Sequence, residues 1–244
     1  RAKALLRRMI EEKLNFKWST QVRVDIAKDP ELVQLMKKAG CRLVYIGMES
    51  VNPKSLKSMK KKQTVDDIAQ AIKVLQWQGI RIHGMFVYGF DEDDLHTIKE
   101  TVRFAKRAKL SSTQFLLLTP LPGSEFYNRV MDEKRIQFHD WALYDAHHAV
   151  FKPKLMSLFD FQRAQIFSHT KFYSFNQIVR RAMSFSWIEF GIAVYARNLN
   201  RLWQKKNKTF LRVMDLCRPR KEVKINIDYQ ERVRLEDEEA GMAM

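Results

Sequence analysis

The sequence predicts an α/β fold: a parallel β-sheet interleaved with helices, followed by a helical C-terminal region. Three observations carry this. From residue 18 onward, strand-like runs alternate with amphipathic segments, which is the pattern of right-handed β-α-β crossovers. The runs VYIGM, MFVYGF and FLLLT are nearly continuously apolar, as strands covered on both faces are. After Pro122 the alternation stops, and loops and helical segments take over.

Taken in order, RAKALLRRMIEEKLN begins without methionine and runs straight into helical periodicity, with Leu5, Leu6, Met9 and Leu14 on one side. That beginning reads as a piece of a longer chain. Strands are expected at Thr20–Ile26, Arg42–Met48, Arg81–Tyr88 and Thr113–Leu118. Asp29-Pro30 supplies an N-cap and a first-turn proline, and PELVQLMKKAG then stops at Gly40. A second helix runs from the cap Thr64 to Gly79, and DDLHTIKETVRFAKRAK forms the third. Four strands cannot close a barrel that needs about eight, so either the sheet is open or further strands lie upstream. Beyond it, LFDFQRAQIFSHTKFYSFNQIVRRAM reads as one amphipathic helix or a pair, and SWIEFGIAVYARNLNRLWQKKNKTFLRVM as another. The resulting division is a barrel portion over residues 1–150, a helical region over 151–218 and a loose tail over 219–244.

Composition bounds the function. With 244 residues and 45% hydrophobic content the chain can bury a core, which excludes native disorder. Lys and Arg number 44 against 28 Asp and Glu, a formal net charge of +16 that suits acidic partners such as nucleic acid or anionic lipid. The two cysteines exclude a disulfide framework and any metal site built on three cysteines of this chain alone. No apolar run approaches the roughly 20 residues that cross a bilayer, so the expected location is cytoplasmic, with peripheral contact to the inner membrane face an option. That option rests on residues 180–221, which carry eleven Lys or Arg against Glu189 and Asp215, interleaved with Phe185, Trp187, Phe190, Tyr195, Trp203 and Phe210. The competing expectation is that the aromatics pack on the barrel and the basic face is solvated.

In parallel α/β folds ligands meet the loops at the carboxyl ends of strands. The second strand ends in GMES, where Glu49 can accept hydrogen bonds from an ammonium or from hydroxyls. The alternative for Glu49 and Ser50 is a helix cap. Gln21, Arg23 and Asp25 alternate along the first strand and share one face, as they would in a polar barrel lumen or on an edge strand with one wet face. Asp91 and Glu92 after the third strand suit a cation or a ribose, but first-turn acids are also favoured by the helix dipole. TPLPGS after the fourth strand makes a rigid turn able to present backbone to a planar ligand. His147 and His148 read as surface or core histidines, and Cys41 as a small buried residue.

In combination, QVRVDIA, ELVQLMKKAGCRLVYIGMESVNPKSLKSMKKKQT, GIRIHGMFVYGFDEDD and TQFLLLTPLPGSEFY resemble the latter half of a radical S-adenosylmethionine (SAM) barrel over about residues 15–150. TPLPGS and DWALYDAHHAVFKP are similar to members that carry a cobalamin-binding domain. The resemblance implies a partial barrel of six parallel strands, of which these are the last four. It implies SAM, a four-iron four-sulfur cluster whose CxxxCxxC ligands lie outside this chain, and cobalamin held by a domain outside it. Carried over by position, Glu49 and Ser50 fall where relatives contact SAM. Gln21 and Arg23 fall on the strand that reaches its carboxylate or ribose, and Lys61 stands where relatives often have arginine. The backbone of Tyr88 and Gly89 would flank adenine, with Leu118 to Pro120 closing the other side. No catalytic residue or metal ligand is assigned within the chain.

The resulting expectation is the SAM-binding, substrate-facing half of a radical SAM enzyme performing methyl transfer, cyclisation or related C–H chemistry. The chain is expected to be inactive alone and to need the N-terminal remainder of its polypeptide. A small-molecule or lipid-like substrate is favoured over nucleic acid. The alternatives are a transfer-RNA-modifying methylthiotransferase, which usually ends in a small β-barrel, and a non-catalytic membrane- or nucleic-acid-binding module.

Overall fold

In the computed structural model, residues 1–59, 61 and 63–218 are described, and the expected loose tail at 219–244 lies outside them. Helix α1 (Ala2–Glu11) precedes β1 (Trp18–Val22), α2 (Pro30–Lys38), β2 (Cys41–Glu49), α3 (Pro53–Ser58) and α4 (Val65–Trp77). Then come β3 (Arg81–Tyr88), α5 (Leu95–Arg107), β4 (Ser112–Leu117) and α6 (Glu125–Asp132). The C-terminal region is α7 (Leu158–Phe172), α8 (Phe175–Met183), α9 (Trp187–Lys206) and α10 (Lys208–Leu216). The four strands form one sheet in the order β1-β2-β3-β4, all parallel, so the fold is a partial (β/α) barrel with a helical extension.

Local chemistry sets the boundaries. Asp29 caps α2 by accepting from Leu32 N at 3.1 Å, ahead of Pro30 at the first turn. At Gly40 the chain turns with φ +98°, and a Cβ there would lie 1.9 Å from Phe16 O, so only glycine fits between α2 and β2. Thr64 and Asp67 form a reciprocal capping box on α4. Asp94 caps α5 through Thr97 N at 2.7 Å.

One face of the sheet is dry. Val44, Ile46 and Met48 of β2 and Ile82 and Phe86 of β3 join Val33, Met36, Ile68, Leu75, Ile98 and Val102 of the crossover helices in a single core. The opposite face carries Gln21, Tyr45, Gly47 and Met85, which the strand register sets side by side.

The first strand differs from expectation. It ends at Val22, and Val24–Lys28 forms a 3₁₀ turn preceded by Arg23, so neither Arg23 nor Asp25 is on the strand. The turn buries the side chain of Val24, which draws the chain out of the extended path. In α1 only Leu6 is buried and Leu5 is exposed, so the apolar side is narrower than its periodicity predicts. The two sheet edges are treated differently. Tyr173 covers β4, its hydroxyl donating to Thr113 O at 2.9 Å while accepting from Thr113 N at 2.8 Å, and Ala146 O accepts from Leu117 N at 2.8 Å. The outer edge of β1 has no strand partner among the described residues.

Against the same β4 edge sits His169, its Nε2 3.3 Å from Phe115 O. Burial pushes its imidazole down to about 4. A histidine so depressed contributes stability that is complete above its unfolded value near 6.5 and is lost as pH falls through about 4. Urea unfolding should therefore show the parent chain losing up to about 3 kcal/mol more than His169→Phe between pH 7 and pH 4; parallel pH profiles for the two proteins would refute this.

Candidate functional site

A cleft of about 1030 Å³ opens at the carboxyl end of β1 and β2, bounded by the 3₁₀ turn and the start of α4. Four of the expected residues, Gln21, Arg23, Glu49 and Lys61, line it together with Gly47 and Gln63. Its two ends are built by different devices. Strand alternation places Gln21 beside Tyr45 on the open face of the sheet. Glu49 arrives through an irregularity: the β2–β3 register shifts between Gly47 and Glu49, and Glu49 takes a left-handed φ of 62°. That conformation costs a residue with a Cβ about 1–2 kcal/mol. It folds the carboxylate back over Gly47, where a Cβ would lie 2.5 Å from Glu49 Oε1. Lys61 Nζ then donates to the same oxygen at 2.6 Å.

This ion pair is half open to solvent, with side-chain exposures of 21% for Glu49 and 41% for Lys61. Pairs of that kind hold at most about 1 kcal/mol, so a ligand ammonium or hydroxyl can replace the lysine at little cost. Arg23 is largely exposed and lies 3.4 Å from Asp25, another weak and exchangeable contact. The cleft thus presents three acids, Asp25, Glu49 and Asp67, three cations, Arg23, Lys28 and Lys61, and the amides of Gln21, Gln63 and Gln70.

The other expected residues sit elsewhere. Ser50 is buried, and its Oγ accepts from Asn52 N at 3.0 Å; the helix cap considered for Ser50 is supplied instead by Asn52. Tyr88 points to the dry face, where its hydroxyl meets Ser168 Oγ at 2.9 Å, and burial pushes the phenol far up. The backbone of the next turn is also engaged, since Tyr88 O accepts from Leu118 N at 2.8 Å and Gly89 N donates to Asp93 at 3.0 Å. Pro120 is buried, and Leu118 lines a separate recess of about 340 Å³ beside Asp91, Phe126 and Arg129.

Asp91 is occupied as well. Arg135 at 2.8 Å, Lys154 at 3.4 Å and Arg129 at 3.5 Å surround it; burial raises its carboxyl, but Arg135 and Lys154 outweigh that and hold it below the ordinary range. The acid that the sequence reading passed over is Asp93. It is fully buried, accepts from Ser55 Oγ at 2.6 Å and from Gly89 and Phe90 N, and burial pushes its carboxyl up to about 6. Its signal was the third acid in FDEDD, one helical turn from the strand end, and its work is to pin that turn. Of the histidines, His148 pairs with Asp145 at 3.0 Å and with Asn207 at 2.9 Å; burial opposes ionisation of Asp145, but His148 holds it down to about 2.

A partial parallel barrel with a mixed-charge cleft at the carboxyl ends of its strands places the chain among (β/α) barrel-like proteins. More particularly, residues 1–105 match the radical SAM superfamily. Over 143 residues it is 34% identical to the bacteriochlorophyllide d C-12(1)-methyltransferase of Chlorobaculum tepidum, covering 58% of this chain and 31% of that protein. It is 26% identical to the hopanoid C-2 methylase of Rhodopseudomonas palustris, covering 48% of this chain and 22% of that one. The chain thus spans a third or less of the length of these relatives. The radical SAM methyltransferase TsrM from Kitasatospora setae, solved with cobalamin and a [4Fe-4S] cluster, superposes with a TM-score of 0.47 at 18% identity over 54% of this chain and 26% of that one.

The strain at Glu49 is directly measurable. Glu49→Gly should unfold at higher urea than Glu49→Ala, by about 1 kcal/mol, because glycine takes the left-handed conformation freely. Equal stability of the two variants would show that the turn relaxes.

Proposed function

We propose that the cleft between β1, β2 and α4 binds SAM, and that the chain is the SAM-holding and substrate-facing part of a radical SAM enzyme of the cobalamin-associated type. The observation that carries this is the Glu49–Lys61 pair folded over Gly47, with Gln21 and Arg23 lining the same cleft. SAM joins an ammonium and a carboxylate to a ribose and a sulfonium, so it needs an acid and a base within one polar cleft. Glu49 is suited to the ammonium or the ribose hydroxyls once Lys61 swings away, and Lys61 or Arg23 to the carboxylate. Lysine offers a point charge in place of a bidentate fork, so the carboxylate is held by charge more than by geometry.

An iron–sulfur cluster does not fit these residues. The chain has two cysteines, Cys41 buried in β2 and Cys217 exposed after α10, and among the described residues no group of three or more metal-binding side chains is assembled. Three thiolate ligands therefore come from outside this chain, as does any cobalamin-binding domain, and the chain alone is inactive in this reading. Bound beside such a centre, SAM supplies a methyl group or a carbon-centred radical; the part played by this chain is to bind, orient and exclude water. Relatives named for methyl transfer to a bacteriochlorophyllide and for methylation of a hopanoid support methyl transfer to a small-molecule or lipid-like substrate. In the full-length protein, Glu49→Ala should weaken SAM binding about tenfold by calorimetric titration, about 1.4 kcal/mol, with an unchanged circular dichroism spectrum. Unaltered affinity would remove Glu49 from the site.

A specific surface favours peripheral contact with lipid as well. Phe175, Met183, Phe185, Trp187 and Ile188 are all exposed around the α8–α9 turn, next to exposed Arg180, although Phe190, Trp203 and Phe210 pack inward. No helix among the described residues is long and apolar enough to cross a membrane, so the contact would be interfacial. Co-sedimentation with phosphatidylglycerol-containing vesicles should fall at least fivefold in the Phe185→Ser, Trp187→Ser double variant. Binding that survives in the double variant but is abolished by salt would assign the interaction to charge alone.

A further inference from the structure

A second cavity, of about 520 Å³, lies at the opposite end of the sheet's open face, toward the amino ends of the strands and beneath α9. It differs from the SAM cleft in kind. In a chain of net charge +16, no Asp, Glu, Lys or Arg among the described residues lines it. Tyr45 and His83 form one wall, their rings 5.0 Å apart, while Tyr195, Leu199 and Trp203 of α9 form another. The three imidazoles that border it, His83, His147 and His169, are all pushed down by burial and so stay neutral at pH 7.

One buried polar atom on the cavity lining has no partner among the described residues: Gln165 Oε1, on a residue only 3% exposed. Several neighbouring polar groups are already engaged. Gln165 Nε2 is used on His147 Nδ1 at 3.2 Å, His83 Nδ1 meets Ser112 Oγ at 2.8 Å, and both backbone groups of Thr113 are taken by Tyr173. Leaving a buried acceptor unpaired costs about 1–3 kcal/mol, and native proteins keep few of them. A cavity of this size with apolar walls and a few convergent polar atoms is the usual form of a small-molecule site.

We propose that this cavity binds an uncharged, flat, largely apolar ligand whose hydrogen-bond donor pairs with Gln165 Oε1. Ring stacking between the Tyr45–His83 wall and the α9 wall supplies affinity, and the Gln165 oxygen fixes orientation. The absence of charged lining selects against ions, because an anion entering here would lose its hydration without a partner. The site stands on its own lining and does not depend on SAM occupying the other cleft.

Two probes that share a ring and differ in charge test this: 2-naphthol, neutral and a donor, and 2-naphthalenesulfonate, an anion. Fluorescence titration of the chain should show one saturable 2-naphthol site that binds at least tenfold tighter than the sulfonate. Ala196→Trp, which projects an indole from the α9 wall, should weaken 2-naphthol at least tenfold, and Gln165→Leu about fivefold, with circular dichroism unchanged. Phe185→Ser on the exposed aromatic turn and Glu49→Ala in the SAM cleft should leave 2-naphthol binding as it was. The proposal is overturned if the sulfonate binds as well as the naphthol, if Ala196→Trp folds normally and binds undiminished, or if the folded parent chain binds neither probe. A separate SAM titration on the same parent and variants keeps a failure here distinct from a failure of the radical SAM reading.

Discussion

Everything in this molecule depends on the alternation of side chains along four parallel strands held in register. One set of alternating positions buries Val44, Ile46, Met48, Ile82 and Phe86 against the crossover helices. The other set is released from core duty and carries Gln21, Tyr45, Gly47, His83 and Gln114 on the open face. A slip of one residue in any strand would bury the polar set and expose the apolar one, so the requirement for a dry core also fixes the chemistry of the open face. That single constraint yields two recesses of opposite character, a charged one at the carboxyl ends and a neutral one at the amino ends.

The charged cleft shows where the fold departs from regularity to make a site. Glu49 sits in a strained backbone conformation, over a glycine, in a salt bridge that is weak because water reaches it. Neither the strain nor the pair is worth much to stability. By contrast Asp91 and Asp93, three and five residues past the end of β3, are engaged by several partners each and serve to hold the strand-end turns. Acids that look equivalent in sequence have thus been divided between construction and exchangeable contact.

Much of this was legible from residues alone because the signals are local. Arg81–Tyr88 is a strand between the bounds its apolar run suggests, and Asp29, Thr64 and Asp94 cap helices as their sequence context implies. Gln21, Arg23 and Glu49 share a cleft because each lies at or just beyond a strand end, and Lys61 reaches it from the segment between α3 and α4. The misses have physical causes. Polar alternation through Asp25 mimics a strand, but Val24 is buried beneath a 3₁₀ turn. The helices Pro53–Ser58 and Glu125–Asp132 are too short to show periodicity, although Asn52 and Ser124 cap both. The neutral cavity was invisible because its walls come from β2, β3, β4, α7 and α9, and no local pattern joins Tyr45 to Trp203.

The unequal sheet edges carry a further implication. Tyr173 and the 146–147 segment seal β4, whereas β1 offers five residues of main chain whose outward amides and carbonyls have no strand beside them among the described residues. Such an edge is a template for recruitment, and any extended polypeptide of suitable register can dock onto it. Growth of the sheet is therefore directional: new strands can be added only at the β1 side, where the polar cleft would be enclosed by whatever joins it.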